Sequence, residues 1–303
     1  MLQLSGLTKW FYKKMAEKLR ILIADSGSSK TEWRIIENGV PANSFFSSGI
    51  NPYFLTSDEI YGLLTREIKP EVKGRFSNIF FYGTGCNSTL KEDIVRKALN
   101  RFIVSEEIFI GSDLLGAARS LCLDKAGIAC IMGTGSNSCY YDGKRIVSNI
   151  PPLGYILGDE GGGAVLGRKL LSGILKKQVP DHIIRKFLDT YKLTTAEILD
   201  NVYTKPFPNR FLGQFAKFLS DNINEPELKE IVESSFEDFI VRNILQYPES
   251  GKYPVHFTGS IAFHFKELLI QQLAKNNLIS GEITLTPMSN LIIYHLNDTI
   301  QNK

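Results

Sequence analysis

Two short segments rich in glycine and hydroxyl side chains are candidate phosphate sites. The first is Asp25-Ser-Gly-Ser-Ser-Lys-Thr31, and the second is Gly133-Thr-Gly-Ser-Asn137. In such a turn, successive backbone N–H groups and hydroxyls can cradle a phosphate, while Asp25 can hold a magnesium ion through water. The same composition also suits a purely structural hairpin turn. If both segments bind phosphate, they could clasp the β- and γ-phosphates of one nucleotide from two sides.

Residues at three further places in the chain could act on a substrate or a nucleotide. Asp113 lies between an apolar run and a predicted helix, where a carboxylate can be a helix N-cap or a general base for a hydroxyl proton. Asp159 and Glu160 lie in a glycine-rich loop, which is either a solvated turn or a site that accepts hydrogen bonds from vicinal sugar hydroxyls. Gly259-Ser260 follows a predicted strand, where a glycine can also serve close packing alone.

The elements around the first segment are predicted to be strands. Ile21–Ala24 precedes the glycine turn, Thr31–Ile36 follows it, and Asn38-Gly39 closes the hairpin. Because a strand rather than a helix follows the glycines, the segment does not fit a Rossmann or P-loop site.

The second segment repeats this plan. Ile128–Met132 and Ser138–Tyr141 are predicted strands on either side of the turn, and Asp142-Gly143 closes the hairpin. Two copies of one plan indicate two domains, with a boundary near residues 114–125. The remaining predictions are helices over Asp58–Lys69, Leu90–Phe102 and Leu114–Cys122, strands over Ile79–Tyr82, Glu107–Ile110, Val255–Thr258 and Ile283–Leu285, mostly helix from Gly163 to Glu249, a helix from Gly259 to Asn276, and a last helix after Pro287.

The composition is that of an ordinary globular chain. Of 303 residues, 43% are hydrophobic and 22% charged, and 35 Lys and Arg against 32 Asp and Glu give a net charge of +3. This balance does not favour a nucleic-acid partner. The longest charge-free stretch, Asn38–Ser57, is broken by prolines, asparagines and serines, so no membrane span is predicted. The start of the chain lacks a signal-peptide core, and we expect a cytoplasmic protein.

The cysteines and histidines form no metal or redox pattern. The cysteines have no CxxC spacing and the histidines no helical i, i+4 pair, so each cysteine is interpreted as a small buried hydrophobe. The residues concerned are Cys86, Cys122, Cys130 and Cys139, with His182, His256, His264 and His295.

Together the motifs resemble the BadF/BadG/BcrA/BcrD ATPase family, and within it the N-acetylglucosamine kinase-like branch of the actin-like ATPase superfamily. The motifs that carry the resemblance are, in order, Asp25-Ser-Gly-Ser-Ser-Lys-Thr31, Ser112-Asp113, Gly133-Thr-Gly-Ser-Asn137, Gly158-Asp-Glu-Gly161 and Thr258-Gly-Ser260. The resemblance implies an α/β chain with two ribonuclease H-like domains and ATP in the interdomain cleft. The N-terminal domain would cover residues 1–118, the first 19 of them an extension. The C-terminal domain would cover residues 119–303, with a helical insertion and a last helix that can return to the N-terminal domain.

The resemblance also implies a role for each candidate residue. Cofactor binding would fall to Gly27, Ser28, Ser29, Lys30 and Thr31 in the first loop, to Gly133, Thr134 and Gly135 in the second, and to Gly259 and Ser260 in an adenosine motif. Sugar binding would fall to Asn51, Ser136, Asn137, Gly154 and Asp159. Asp113 would be the catalytic base, and Asp25 would serve the magnesium ion.

The implied activity is ATP- and Mg²⁺-dependent phosphorylation of an amino sugar, first of all N-acetylglucosamine at the 6-hydroxyl. Beyond the small-molecule sugar, a homodimer is compatible with the resemblance, whereas nucleic-acid and membrane partners are not expected. Two alternatives stay open. One is the ATPase activator of an acyl-CoA reductase or dehydratase, although the cysteines lack iron–sulfur cluster spacing. The other is a non-catalytic sugar or nucleotide sensor, against which the intact Asp25, Asp113 and Thr134 argue.

Overall fold

The computed structural model describes residues 19–27 and 29–301, with side chains as far as Asn297. The predicted N-terminal extension and Ser28 of the first glycine segment lie outside the described residues. The chain divides into two compact units, one formed by the residues up to Ser120 together with those from Pro287 onward, the other by Leu121–Thr286. Among the described residues, no helix is both long enough and apolar enough to cross a bilayer.

The first unit contains a five-stranded mixed sheet in the order β3-β2-β1-β4-β5. Its elements are β1 (Arg20–Ser26), β2 (Lys30–Glu37), β3 (Val40–Ser48), α1 (Ser57–Glu67), β4 (Arg75–Gly83), α2 (Thr89–Phe102), β5 (Val104–Ser112), α3 (Asp113–Cys122, which runs just past the end of the unit) and α13 (Met288–Gln301). The first three strands form an antiparallel meander, and β4 and β5 continue the sheet parallel to β1.

The two faces of this sheet bury different sets of side chains. On one face Leu22, Ala24 and Trp33 pack with residues of α1 and α2. On the other face Ile21 and Ile23 pack with residues of α13. This alternation is what a strand buried on both faces produces, because successive side chains point to opposite sides.

The second unit contains a sheet of the same topology, in the order β10-β9-β6-β7-β8. Its strands are β6 (Ala126–Met132), β7 (Ser136–Asp142), β8 (Ile146–Ile150), β9 (Val255–Thr258) and β10 (Ser280–Thr284). Its helices are α4 (Gly154–Leu157), α5 (Gly163–Leu175), α6 (Asp181–Tyr191), α7 (Thr195–Tyr203), α8 (Pro208–Gly213), α9 (Ala216–Asp221), α10 (Pro226–Arg242), a 3₁₀ turn (Ile244–Gln246), α11 (Ser260–His264) and α12 (Lys266–Lys275).

The prediction of an α/β chain built twice on one plan is confirmed, because an antiparallel meander followed by parallel strands opens each unit. Two details differ from the predictions. The strands β3 and β8 were not predicted, since few of their side chains are buried and they lie at sheet edges. The single helix predicted over Gly259–Asn276 is broken at Phe265, which leaves the helical conformation and is buried.

Candidate functional site

The predicted site residues of the first unit lie at one edge of its sheet. The strands β1, β4 and β5 are parallel, and Ser26, Gly83 and Ser112 are aligned across them at the carboxyl ends. The residues that follow these ends, Gly27, Thr84 and Asp113, are therefore neighbours. In open α/β sheets, ligands bind outside the carboxyl ends of parallel strands.

The first glycine segment is a tight turn between β1 and β2. The Gly27 N–H donates to the Lys30 carbonyl, with an N···O distance of 3.0 Å. Thr31, predicted to bind phosphate, is fully buried, and its hydroxyl lies 2.8 Å from that of Ser26 and donates to the Ser48 carbonyl at 3.1 Å. Thr31 thus holds the base of the turn, whereas Ser29 and Lys30 are exposed.

Asp25 lies in an environment rich in negative charge. It pairs across the β1–β2 ladder with Glu32, which is buried and forms an ion pair with Arg34 at 2.6 Å. Burial, and then the charges of Asp113 and Glu32, raise the pKa of Asp25 to about 7, while Lys30 lowers it. Burial of an ionised carboxylate lowers the stability of the folded state, and a carboxylate kept in such surroundings is typical of a functional position.

A magnesium ion fits this environment. Among the residues that the structure describes, no three His, Cys, Asp or Glu side chains lie close enough together to hold a metal. Magnesium needs no such cage, because it keeps several waters and usually binds one or two carboxylates together with substrate phosphates. A cation beside Asp25 would also offset the negative charge of Asp113 and Glu32.

The carboxylate of Asp113 is fixed at both oxygens. Its Oδ2 accepts a hydrogen bond from the Thr84 hydroxyl at 2.7 Å, and its Oδ1 accepts one from the Leu114 N–H at 2.8 Å. Burial raises the pKa of Asp113, and these two hydrogen bonds partly oppose that effect. The N-cap contact of α3 is made by Ser112, whose hydroxyl accepts from the Leu115 N–H at 3.1 Å. Asp113 is therefore not needed as the cap, which leaves its carboxylate for chemistry.

Asn51 lies beside Gly85, just beyond the end of β4. A β-carbon added at Gly85, whose φ is +85°, would approach Asn51 Oδ1 to 2.5 Å. The same Oδ1 accepts a hydrogen bond from the Tyr53 N–H at 2.9 Å. Since its oxygen is engaged in this turn, Asn51 offers a ligand mainly its amide N–H groups.

The second glycine segment, Gly133–Gly135, rests on the N-terminus of α5. The carbonyls of Gly133 and Thr134 accept hydrogen bonds from the Gly163 and Ala164 N–H groups, at 2.9 and 2.8 Å. With the carbonyls turned toward the helix, the N–H groups of Thr134 and Gly135 find no acceptor among the described residues. Free amides at a glycine turn form the concave site that binds anions.

Asp159 lies against this segment. The Ser136 N–H donates to Asp159 Oδ1 at 3.3 Å, and a β-carbon added at Gly135 would approach Asp159 Oδ2 to 2.7 Å. Burial, together with the charge of Glu160, raises the pKa of Asp159 to about 6, against the effect of the Ser136 N–H. The structure therefore brings together three predicted site residues, Gly135, Ser136 and Asp159.

Asn137 and Gly154, also predicted to bind sugar, are close in sequence to this cluster, since Asn137 follows Ser136 and Gly154 precedes the Asp159 loop. The Oδ1 of Asn137 accepts hydrogen bonds from Ser138 N–H and Asn149 Nδ2, each at 2.9 Å. Gly154 has φ +74° and its carbonyl accepts from the Gly158 N–H, which closes the one-turn helix α4 just before Asp159. Asn137 is thus ordered by the sheet, and Gly154 shapes the loop.

The helix α10 and the residue that follows it contact the loop that contains Asp159. Glu160, which is buried, accepts from Arg242 at 2.9 Å and lies 3.4 Å from Asn243 Nδ2. The Ser235 hydroxyl accepts from the Gly161 N–H at 3.1 Å. Sequence reasoning missed Arg242 and Ser235, because nothing in their local sequence links them to a loop so distant in the chain.

A cavity of about 480 Å³ opens beside Ser260 in the second unit. Its lining includes Gly213, Lys217, Asp221 and His264. Gly259 has φ +120°, and its Cα packs so tightly on the Met132 carbonyl that a β-carbon would come within 2.3 Å of that oxygen. This volume suits a small ligand such as a nucleoside, and the lining offers both hydrogen-bond donors and acceptors.

The four cysteines do not form a site among the described residues. All are buried as predicted, and burial raises the pKa of Cys86 and Cys122 to about 12 and those of Cys130 and Cys139 as well. Thiols in such surroundings are unreactive.

Thr84 is the main residue that sequence reasoning missed. It sits in Gly83-Thr84-Gly85, which has the same three residue types as Gly133-Thr134-Gly135. That repeated triplet is a signal that could have identified it.

The chain is similar to several solved structures. A Porphyromonas gingivalis protein provisionally named N-acetylglucosamine kinase shares 44% sequence identity and a TM-score of 0.88, over 92% of this chain and 99% of that one. A Chromobacterium violaceum protein with the same provisional name matches at 15% identity and a TM-score of 0.68, over 91% and 99% of the two chains.

A third structure, a ROK family glucokinase from Streptomyces griseus in complex with glucose and AMPPNP, matches at 12% identity and a TM-score of 0.50, over 94% and 100%. At their low identities, the second and third structures show the shared fold alone. No protein-family model and no curated protein matches the chain.

Proposed function

The chain belongs to the family of the Porphyromonas gingivalis protein, the N-acetylglucosamine kinase-like sugar kinases, and on this premise we propose that it transfers the γ-phosphoryl group of ATP to the 6-hydroxyl of N-acetylglucosamine. It is an ATP-dependent sugar kinase. The observation that supports the transfer step best is the Asp113 carboxylate, which is held at both oxygens beside the first glycine turn and is not consumed as a helix cap.

In this reaction Asp113 acts as the general base. It accepts the proton of the sugar hydroxyl while that oxygen forms a bond to the γ-phosphorus and the bond to the leaving ADP breaks. Phosphoryl transfer asks little covalent chemistry of a protein, so positioning and charge neutralisation supply most of the catalysis. A bound magnesium ion would supply part of that neutralisation, and Asp25 is the residue suited to hold it.

The proposed binding roles follow the contacts within each unit. In the first unit the turn from Gly27 to Lys30 binds phosphate and Asn51 donates to a sugar oxygen. In the second unit the amides of Thr134 and Gly135 bind phosphate, and Asp159 accepts hydrogen bonds from sugar hydroxyls, with Ser136 and Asn137 beside it. The cavity at Ser260 takes the adenosine moiety.

Other features of the sequence analysis stay predictions within this proposal. They are membership of the BadF/BadG branch, a homodimer, and a cytoplasmic location without nucleic-acid partners. The activator of an acyl-CoA reductase is disfavoured, because the described cysteines are buried and an iron–sulfur cluster shared between subunits would need them at a surface.

A coupled ADP-release assay tests the proposed function. The purified protein is given ATP and Mg²⁺ with N-acetylglucosamine, glucosamine, N-acetylmannosamine, N-acetylmuramic acid or glucose, and phosphorus NMR identifies the phosphorylated position. We expect the highest kcat/KM for N-acetylglucosamine and a 6-phosphate product. ADP release that no sugar accelerates would contradict the proposal and favour a sensor or an activator ATPase.

A further inference from the structure

Thr84 lies where three elements of the first unit meet. It directly follows β4, and its backbone N–H donates to the carbonyl of Ser26 at the end of β1, with an N···O distance of 2.9 Å. Its hydroxyl donates to Asp113 Oδ2 at the start of α3, at 2.7 Å. Through two hydrogen bonds, this one residue connects the end of β1 to the proposed base.

The Thr84 hydroxyl sets the orientation of the Asp113 carboxylate. The Leu114 N–H fixes Oδ1, and Thr84 fixes Oδ2. An ionised carboxylate has about four lone-pair sites, so each oxygen keeps a further lone pair for a substrate. With both oxygens held, the carboxylate cannot rotate about its Cβ–Cγ bond without breaking a hydrogen bond. The two donors therefore fix the direction of the lone pairs that remain.

The framework to which Thr84 attaches is itself rigid. Ser26 is fully buried, its hydroxyl accepts from the Ile50 N–H at 2.9 Å, and it lies 2.8 Å from the Thr31 hydroxyl. Ile50 directly precedes Asn51, and Thr31 closes the first glycine turn. Thr84 therefore ties Asp113 to the same framework that carries the phosphate turn and a proposed sugar ligand.

The fold itself depends little on the Thr84 hydroxyl. Thr84 is only half-buried, and its backbone bond to Ser26 does not involve the side chain. The helix α3 is capped by Ser112. The contact of the hydroxyl is with Asp113, so its removal acts mainly on that carboxylate.

We propose that Thr84 is a positioning residue for phosphoryl transfer, which holds the Asp113 carboxylate in the orientation that receives the proton of the sugar hydroxyl. This inference rests on the proposed function, in which that proton passes to Asp113 as the sugar oxygen bonds to the γ-phosphorus and ADP leaves. Without the Thr84 hydroxyl, the Leu114 N–H alone would hold the carboxylate, and its looser orientation would slow this step without weakening the binding of either substrate.

The test compares Thr84→Val, which removes the hydroxyl but keeps the branched shape, with Thr84→Ser, which keeps the hydroxyl. We expect the valine variant to lose about 10- to 100-fold in kcat, since small misplacements of catalytic groups cost rates of this order. The KM values for ATP and N-acetylglucosamine should change by less than about twofold. The serine variant should recover most of the lost kcat.

A matched control is Thr65→Val in the same unit. The Thr65 hydroxyl donates to the Tyr61 carbonyl at 2.8 Å within α1, so its loss should leave kcat and both KM values unchanged. If Thr84→Val does not fold, as judged by thermal unfolding, Thr84→Ala is measured in its place, because it also lacks the hydroxyl and has a smaller side chain.

The outcomes separate the two proposals. A folded hydroxyl-free variant with the kcat of the wild type overturns the positioning role and leaves the kinase assignment intact. Equal losses in the serine and valine variants also overturn it, because the hydroxyl would then not be the cause. A wild-type protein that phosphorylates none of the tested sugars overturns the proposed function before any variant is measured.

Discussion

Gly135 and Asp159 lie in such close contact that a β-carbon at residue 135 would stand 2.7 Å from Asp159 Oδ2. This glycine therefore contacts the proposed sugar-binding carboxylate and also belongs to the proposed phosphate turn. The contact links the second glycine segment to a loop that is distant in the sequence.

Gly135→Ala should weaken sugar binding without unfolding the protein. The added methyl group meets the end of a flexible side chain, so Asp159 can shift aside, but it then no longer faces the sugar hydroxyls. Loss of a hydrogen bond to a charged group is worth about 1.5–3 kcal/mol, so the KM for N-acetylglucosamine should rise about 10- to 100-fold. Gly251→Ala in the same unit, where a β-carbon meets no atom within 4 Å, is the matched control for a steady-state assay. An unchanged sugar KM in folded Gly135→Ala would contradict the role of Asp159.

The pH dependence of sugar binding should report the ionisation of Asp159. Burial and the charge of Glu160 raise its pKa to about 6, so the carboxylate becomes protonated as the pH falls below 6 and loses acceptor capacity. We expect the KM for N-acetylglucosamine to rise by up to about tenfold per pH unit below that value. Asp159→Asn should show a high KM that is flat between pH 5 and about 8. A steep profile retained in the asparagine variant would assign the titration to another group.

Asp25→Asn should stabilise the free protein at neutral and alkaline pH while it abolishes most kinase activity. The folded pKa of Asp25 is about 7, against an ordinary value of 3.8, so the folded state binds a proton that the unfolded state has released across this window. Stability therefore falls as the pH rises from 4 to 7, and the loss is complete above about pH 7. Asparagine carries no charge to desolvate. A gain of about 1 kcal/mol would raise Tm by about 2–4 °C for a unit of this size.

Thermal unfolding of the wild type and Asp25→Asn without nucleotide, at about pH 4 and pH 8, tests whether the variant is the more stable protein at high pH. The difference between variant and wild type should appear at the higher pH and vanish at the lower one. Asp189→Asn, at an exposed carboxylate, provides the control. A variant less stable than the wild type at pH 8 would show that Asp25 gains more from its contacts than burial costs it.

The sequence pattern could predict the strands that carry the site but not the contacts made across the sheet. The continuous apolar run Ile21–Ala24 identified β1, and alternation identified β2. The alternation in β2 also places Thr31 on the buried face with Trp33 and Ile35. The sequence pattern therefore predicts that the Thr31 side chain points into the protein. The strand β3 was missed because only Phe45 and Ser47 of its nine residues are buried and it lies at the edge of the sheet, so its sequence lacks the apolar alternation of a half-buried strand.

Long-range contacts could not be predicted from the sequence, for a physical reason. The ion pair of Arg242 with Glu160 and the hydrogen bond from Thr84 to Asp113 join residues far apart in the chain. Each depends on how helices and strands pack, and a local pattern holds no information on that packing. By contrast, the location of Asp113 at the edge of a sheet could be predicted, since it lies between a predicted strand and a predicted helix.

Ser260→Trp should weaken ATP binding selectively. Ser260 is exposed at the edge of the cavity of about 480 Å³, and an indole there would occupy the space proposed for adenosine. We expect the KM for ATP to rise by about 10-fold or more, with the sugar affinity measured by calorimetry unchanged. Ser280→Trp, at an exposed position on β10, controls for the added aromatic surface. A normal ATP KM in the Ser260 variant would place the adenosine moiety elsewhere.

Asp113→Asn should separate chemistry from binding. The side chain can keep both of its contacts, because its amide oxygen can face the Leu114 N–H while its NH₂ group faces Thr84, whose hydroxyl can turn to accept. Because Ser112 caps α3, the substitution at Asp113 should not destabilise this helix. The amide cannot take the proton of the sugar hydroxyl, and general-base catalysis is worth about 100- to 10,000-fold, so kcat should fall by that factor. The KM for sugar should change little, and Tm should not fall, because burial raises the pKa of Asp113 and asparagine carries no charge to desolvate. Turnover near that of the wild type would remove Asp113 from the mechanism, whereas a parallel loss of Tm and kcat would show that the charge of Asp113 serves the fold rather than the proton transfer.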